Sequence, residues 1–333
     1  MVGPLLPDHP RAAPRRGRMS TAAAAGTHGR HRRGSWGQRL RRRWFAYFFG
    51  IVVPVVVYGV FVGYPLVNSV YLAFVKWDLF AAHKQWVGLA NFRELAHDTL
   101  FWTAFMNTIK WTLGTLFVVD VIAPLLAIFL NSGRVYLPTL FRTIFFIPVT
   151  MSLVAVGLMF AFIVSPAFGV FNVLFGFLGV GNPNIDLLGS PGSALNTLIV
   201  IFGWSYVGVA VILFHAAVRQ IPTELYEAVR LDGASGRQTL RYITLPMLRP
   251  IFMVVTMLSV LEALRAFDLI VVMTRGGPGN ASQVLGFLMY RSAFNEQRVG
   301  YGAAISTVML AMSMVFAIVY LRRVGRTALD GEA

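Results

Sequence analysis

The residues best suited to polar chemistry lie in one stretch, 219–249, of an otherwise apolar chain. This stretch carries five basic groups and the three carboxylates of Glu224, Glu227 and Asp232. A phosphate-binding loop needs the pattern G-x-x-x-x-G-K-[ST], because backbone amides and a lysine hold the phosphates. The segment 233–239 has neither that spacing nor the lysine. We therefore expect this polar stretch to contact a partner rather than to bind a nucleotide itself.

Other patterns that support catalysis are also missing from the sequence. The segment 203–208, GWSYVG, lacks the G-x-S-x-G spacing of a nucleophile elbow. The chain has no cysteine, which excludes disulfides, a thiolate nucleophile and cysteine-based metal sites. His28 and His31 lie in a basic tail. We expect no catalytic residue, no metal site and no cofactor in this chain.

The composition predicts an integral membrane protein. Hydrophobic residues make up 56% of the 333 residues, charged residues make up 13%, and the mean hydropathy is +0.65. A bilayer core needs roughly 20 apolar residues per helix. Six continuous apolar runs meet that length, which favours helices over an outer-membrane barrel. We predict an all-α, six-helix transmembrane bundle with spans at 44–74, 104–130, 139–164, 195–218, 251–273 and 301–321.

The distribution of basic residues predicts the orientation of the bundle. With a cytoplasmic N-terminus, the cytoplasmic segments hold 21 of the 29 basic residues, including Arg134 and Arg142, and the external segments hold six. Without the N-terminal tail the ratio is still ten to six. The 219–249 stretch and both termini are therefore predicted to face the cytoplasm.

The N-terminal tail explains most of the net charge of +15. Residues 1–43 are rich in Arg, Ala, Gly and Pro without helical periodicity, so we expect a disordered cytoplasmic tail attracted to anionic lipid rather than a nucleic-acid-binding segment. Met19 is a second candidate start. The transmembrane domain is expected over 44–321, and a short cytoplasmic tail over 322–333.

The residue types of the polar stretch predict its local structure. Pro222 marks the start of a short helix that Thr223 can cap and that Gly233 can end, because glycine adopts a left-handed conformation cheaply. Ser235 can cap a second helix that runs through Tyr242. Pro246 and Pro250 then separate this helix from the fifth span. Two short helices joined at a glycine bend predict a compact knob.

The motif in this knob resembles the EAA loop of permease subunits in bacterial ABC importers. The matching pattern is Glu227-Ala-Val, three residues, Gly233, nine residues, and Ile243-x-Leu245-Pro246, with Val229 in place of the usual second alanine. The chain over 50–321 also resembles the carbohydrate-uptake branch, which includes maltose and glycerol-phosphate permeases. The segments that carry this wider likeness are WVGLANF at 86–92, FWTAFMNT at 101–108, FRTIFFIP at 141–148, FDL at 267–269 and TRGGP at 274–278.

The resemblance implies a type I importer permease in a bacterial inner membrane. Its partners would be a second permease subunit, two copies of a cytoplasmic ATPase that bind ATP and magnesium, and an external solute-binding protein or lipoprotein. The knob would be the coupling helix that sits in a cleft of one ATPase. The residues that the resemblance places in this coupling role are Glu224, Glu227, Ala228, Asp232, Gly233, Ile243, Leu245 and Pro246.

Polar residues within the spans are the candidates for the solute path, because such residues are costly in a bilayer and usually face a partner or a cavity. The candidates are Asn107, Asp120, Trp204, Tyr206, Glu262, Arg265 and Asp268, and Lys110 also lies in a span. Sugars bind through hydrogen bonds to planar polar groups and through stacking on aromatic rings. The alternative is structural: Glu262, Arg265 and Asp268 are spaced three apart, so they could form a chain of salt bridges on one helix.

Several alternatives to a sugar importer remain open at this level. The solute could be a non-sugar such as glycerol phosphate. The chain could also be a secondary transporter or channel that works alone, or a membrane scaffold without transport activity, although the two halves show no convincing inverted repeat. The knob itself could be an amphipathic loop resting on lipid headgroups.

Overall fold

The protein is described by a computed structural model that covers residues 44, 47–81, 83–132, 136–167, 169–179 and 186–329. The tail predicted over 1–43, Arg134 and the last four residues lie outside these ranges. The chain divides into two units, 1–59 and 60–333. The described part of the first unit is helical, and it contains the start of helix α1 (Phe48–Leu72), a candidate membrane span.

A small polar cap follows α1 and was not predicted from the sequence. It consists of an antiparallel hairpin, β1 (Val75–Lys76) and β2 (Gln85–Trp86), and helix α2 (Ala90–His97). The buried amide of Asn91 donates hydrogen bonds to the carbonyls of Ala73 (2.8 Å) and Val75 (3.1 Å). These bonds fix α2 to the first strand.

Two long helices form the centre of the second unit. They are α3 (Thr99–Asn131), which Asp98 caps through a 2.8 Å bond from Leu100 N, and α7 (Ala194–Gln220). Glycines let the two helices approach closely: a Cβ on Gly203 would lie 2.5 Å from Val118 Cγ1. Both helices are long and apolar enough to cross a membrane. The predicted spans at 104–130 and 195–218 are therefore confirmed as long apolar helices.

The third predicted span, 139–164, is not one straight helix. It consists of α4 (Pro138–Thr150) and α5 (Leu153–Ile163), which are bent by 102°. The bend follows Pro148, whose missing N–H weakens the last turn of α4, and Met151 and Ser152 are extended. A short helix, α6 (Val170–Phe177), comes next.

The fifth predicted span, 251–273, is also interrupted. After the polar stretch, which contains α8 (Thr223–Leu231) and α9 (Gly236–Met247), helix α10 (Arg249–Leu264) starts with a 64° bend from α9. Helix α10 ends at Leu264, and α11 (Asp268–Met273) starts after a three-residue break. The prediction of one continuous helix was therefore wrong.

The last part of the chain returns through the bundle. Helix α12 (Leu285–Tyr290) continues into a π-helical turn (Arg291–Asn295), and α13 (Val299–Leu329) follows. Helix α13 continues beyond residue 321, where the sequence predicted the end of the last span. Among the described residues, four helices are long and apolar enough to span a membrane, and there are up to six spans if each bent pair forms one.

Candidate functional site

The polar stretch forms a helical knob, 221–248, which we call the polar knob. Its first helix, α8, starts after Pro222, whose side chain offers no cap. Thr223 was predicted to be the cap but is the first helical residue, so that prediction was wrong. The last helical residue is Leu231, and Gly233, which was predicted to end the helix, follows it with φ +75°. The amides of Gly233 and Ala234 donate to the carbonyls of Arg230 and Val229, both at 3.1 Å, and so satisfy the end of the helix.

The second helix of the polar knob begins at the predicted cap. Ser235 N donates to Gln238 Oε1 at 2.7 Å, and Gln238 N donates to Ser235 Oγ at 3.4 Å, which is a reciprocal capping box. Contrary to expectation, the helix continues past Tyr242 through a π-helical turn and ends at Met247. Pro246 fits there because it lies in the first turn after the π-helical segment, where its missing N–H is tolerated.

The polar knob is fixed to the membrane bundle on one side. The Tyr226 hydroxyl lies 3.2 Å from the Thr244 hydroxyl and joins α8 to α9. Thr244 and Leu248 are buried, and Tyr226 packs against a core cluster that includes Ile221 and Leu248. The two short helices are therefore one compact unit attached to the end of α7.

The opposite side of α8 is exposed. Glu224, Glu227, Ala228 and Leu231 share one face at positions i, i+3, i+4 and i+7. In the described part of the chain neither glutamate forms an ion pair. Of the remaining predicted coupling residues, Ile243 is half-buried, and the others are exposed: Asp232, Gly233, Leu245 and Pro246.

The two most exposed apolar residues of the polar knob were not predicted from the sequence. Leu231 is 89% exposed and Tyr242 is 68% exposed. For Leu231 the signal was its helical spacing, three residues after Ala228, which places it on the same face as the two glutamates. An exposed face with carboxylates at one end and a leucine at the other can bind a protein surface with a basic or polar part and an apolar part. The described residues contain no group of three or more His, Asp or Glu that could hold a metal ion.

A second candidate site is a polar cleft inside the bundle with a cavity of about 210 Å³. Glu262 and Arg265 form an ion pair at 3.7 Å, with the Glu262 side chain 46% exposed and the Arg265 side chain 78% exposed. No ion pair between Arg265 and Asp268 is found among the described residues, because α10 ends at Leu264 and the predicted three-residue spacing does not continue on one helix. The cleft is lined by Trp111, Leu153, Phe202, Glu262, Arg265, Ala266, Phe267, Asp268 and Leu269.

The remaining solute-path candidates do not line this cleft. Tyr206 lies beside it: its ring is parallel to that of Phe202, at 6.2 Å, and Glu262 acts on it electrostatically. Trp204 packs edge-to-face on Phe160 at 5.1 Å.

The side chains of Asn107 and Asp120 already have partners within the bundle. The buried Asn107 amide donates to the carbonyls of Ala281 and Gln283, both at 3.0 Å. Asp120 accepts a 2.8 Å bond from Thr256, and Lys110 is exposed. The structure thus brings together Glu262, Arg265, Asp268 and Tyr206, but not the other three candidates.

Comparison with known proteins identifies relatives along most of the chain. A family model described as "Binding-protein-dependent transport system inner membrane component" matches residues 121–326. A probable ABC transporter permease protein of Pyrococcus horikoshii is 36% identical over 273 residues, which is 81% of this chain and 92% of the relative. An arabinooligosaccharides transport system permease protein of Halalkalibacterium halodurans is 30% identical, covering 79% of this chain and 82% of the relative.

Two further matches cover similar shares. A trehalose/maltose transport system permease protein of Thermococcus litoralis is 30% identical over 81% of this chain and 90% of its own length. Among solved structures, a chain of a bacterial ABC transporter involved in the import of the acidic polysaccharide alginate superposes with a TM-score of 0.75 at 23% identity. That match covers 87% of this chain and 98% of the other chain, and it establishes the fold.

Proposed function

Since this chain belongs to the family of binding-protein-dependent transport system inner membrane components, we propose that it is a permease subunit of an ATP-driven importer for a sugar or oligosaccharide. It forms half of a translocation path, and a second permease subunit forms the other half. An external binding protein delivers the solute, as the family description implies. The saccharide class is supported by the names of relatives that are 30% identical over about four fifths of this chain.

The observation that carries this proposal is the geometry of the polar knob. The knob is fixed to the bundle by Tyr226 and Leu248 and presents Glu224, Glu227 and Leu231 on the opposite face. A rigid connection is needed because a flexible loop would absorb a partner's domain closure instead of transmitting it. The chain has no phosphate-binding loop of its own. ATP and magnesium therefore bind to the ATPase partner, and the knob sits in a cleft of that partner on the cytoplasmic side.

Purification followed by reconstitution tests this proposal. We expect the tagged chain to co-purify with an ATPase and a second permease, and solute with its binding protein to stimulate ATP hydrolysis in the reconstituted complex. A secondary transporter would instead be active in liposomes as the single chain. Solute uptake by the chain alone, without ATP, would overturn the proposal.

We further propose that the solute passes the polar cleft at Glu262, Arg265 and Asp268. Of the rings that line the cleft, Trp111 and Phe202 are buried, and Phe267 is half-buried. The cleft thus combines hydrogen-bonding groups with one accessible aromatic ring, which suits a saccharide. The two carboxylates and one guanidinium give the cleft a formal charge of −1, which opposes an anionic solute such as glycerol phosphate. This favours a neutral saccharide over the glycerol-phosphate alternative.

Solute-dependent ATP hydrolysis distinguishes these solute classes. We expect Glu262→Ala and Asp268→Ala to raise the solute and binding-protein concentration needed for half-maximal ATPase stimulation. The matched control is Glu296→Ala, a half-exposed carboxylate that pairs with Arg291 at 2.9 Å outside the cleft. Unchanged solute dependence in both cleft variants would remove the cleft from the solute path. Stimulation by glycerol phosphate but by no saccharide would support the alternative solute.

A further inference from the structure

Helices α4 and α7 are in backbone contact. A Cβ on Gly208 would lie 2.1 Å from the carbonyl oxygen of Phe145, so only a glycine allows this approach. Arg142 is one turn before Phe145 on α4, and His215 and Arg219 lie near the C-terminal end of α7. The close contact thus holds Arg142 near the end of α7, which directly precedes the polar knob.

His215 in this region has an unpaired hydrogen-bond donor. The residue is 6% exposed, and its Nδ1 lies 2.6 Å from the amide nitrogen of Asn131, which also donates to Ala127 O at 2.8 Å. Because an amide nitrogen can only donate, Nδ1 accepts in this contact, and the proton of the neutral ring lies on Nε2. Within the described part of the chain, this buried Nε2 has no hydrogen-bond partner.

Arg142 adds one further unpaired donor. Its buried Nε also has no hydrogen-bond partner within the described ranges. Neither Arg142 nor Arg219 forms an ion pair with any described carboxylate. Both guanidinium groups lie close enough to His215 to act on its ring electrostatically. The two buried atoms without a partner in this described region, Arg142 Nε and His215 Nε2, are therefore both donors, and a ligand that satisfies them must be an acceptor.

Helix dipoles do not neutralise this charge. The C-terminal ends of α3 and α7 meet here, and each carries about half a negative charge. Two guanidinium groups carry two positive charges, so positive charge remains. The place also lies between transmembrane helices at their ends, where basic pockets bind the headgroups of anionic lipids.

We propose that Arg142, Arg219 and the Nε2–H of His215 bind a phosphate group at the end of the bundle that carries the polar knob. Guanidinium groups pair with phosphate oxygens through short charge-assisted hydrogen bonds, and the imidazole N–H supplies a third donor. The phosphate belongs to the headgroup of an anionic phospholipid or to free inorganic phosphate. In either case, the bound group fixes the end of α7 from which the knob extends.

Native mass spectrometry of the detergent-purified chain, with the subunits that co-purify, tests this site. The complex is mixed with phosphatidylglycerol, with phosphatidylcholine or with inorganic phosphate. We expect the wild type to retain phosphatidylglycerol and the Arg142→Gln/Arg219→Gln double variant to retain about tenfold less. The control is Arg241→Gln, because the guanidinium of Arg241 lies 5.9 Å from the ring centre of Tyr242 on the exposed knob.

The outcomes separate the sources of the phosphate. Retention of phosphatidylglycerol that millimolar inorganic phosphate does not displace identifies a lipid site. Displacement of the lipid by inorganic phosphate, or retention of phosphate alone, identifies a free-phosphate site. Equal retention of phosphatidylglycerol in the wild type and the double variant, or equal retention of phosphatidylcholine and phosphatidylglycerol, overturns the proposal. Loss of a protein subunit instead of lipid also overturns it. If the double variant does not assemble, phosphatidylglycerol retention is measured for the two single variants and judged by the same criteria.

Discussion

The hydroxyl of Tyr226 lies 3.2 Å from the hydroxyl of Thr244, and this contact joins the two helices of the polar knob across 18 positions of the chain. Thr244 is buried, whereas Glu227, the next residue after Tyr226, is exposed. One face of α8 is therefore fixed to the knob while the other presents carboxylates. This arrangement lets a partner that moves the carboxylates also move the end of the bundle.

Removing this contact is expected to weaken coupling without preventing assembly. Tyr226→Phe deletes one hydroxyl and should cost about 1 kcal/mol of knob stability. We expect fewer solute molecules transported per ATP hydrolysed, measured in liposomes that contain the assembled complex. The control is Tyr242→Phe, since Tyr242 is 68% exposed. Equal transport ratios in the two variants would show that the Tyr226 hydroxyl does not support coupling.

Reversing the charge of Glu227 should uncouple ATP hydrolysis from uptake. This exposed carboxylate lies on the outer face of α8, and a lysine there would repel the basic or polar group that we expect on the ATPase. Glu227→Lys should lower uptake at least about tenfold, equivalent to about 1.4 kcal/mol of coupling free energy, while basal ATP hydrolysis persists. Glu227→Gln keeps the shape and removes the charge, so it should lie between the wild type and the lysine variant. Normal uptake with lysine would refute the coupling role of this residue.

A bulky residue at Gly233 should distort the bend between α8 and α9. Gly233 has φ +75°, a conformation that costs an L-residue about 1–2 kcal/mol. Gly233→Val should therefore uncouple transport while the bundle stays inserted, as membrane fractionation and the uptake-to-ATPase ratio would show. Gly236→Ala is the matched control, because an added Cβ there meets nothing within 4 Å and its φ is not positive. If the valine variant couples as well as the alanine variant, the bend is not required.

The long helices were predictable because apolar runs of membrane-spanning length are a strong signal, as for α3 and α7. The bend after Thr150 and the break after Leu264 were not, since they depend on local backbone geometry that average hydropathy does not report. The hairpin and α2 were missed for a different reason. They are short and polar, and they are held by contacts distant in sequence, such as the bond from Val299 N to Trp77 O at 3.0 Å.

The same difference between local and distant signals applies to the two candidate sites. Gly233 and Ser235 encode helix ends through their own backbone preferences, so the shape of the polar knob could be predicted. Glu262 and Arg265 are three apart on one helix, so their pairing could be predicted too. The partners of Asn107 are 174 and 176 positions away in the chain. No spacing rule predicts that its amide donates hydrogen bonds to the backbone of Ala281 and Gln283.

Substitution of Asn107 tests whether this residue has a structural role or contacts the solute. Its amide donates 3.0 Å hydrogen bonds to the carbonyls of Ala281 and Gln283, and it is 6% exposed. Asn107→Ala would leave both carbonyls without this donor, at a cost of about 3 kcal/mol. We expect a lower thermal unfolding midpoint of the purified complex, with the solute dependence of the remaining ATPase activity unchanged. In the control Asn196→Ala, an exposed amide loses a single 3.3 Å bond to Gly192 O, so the midpoint should stay near the wild type. The contrary result for Asn107→Ala would be an unchanged midpoint together with altered solute dependence. That combination would place Asn107 in the solute path, because only a contact made by the solute could produce it.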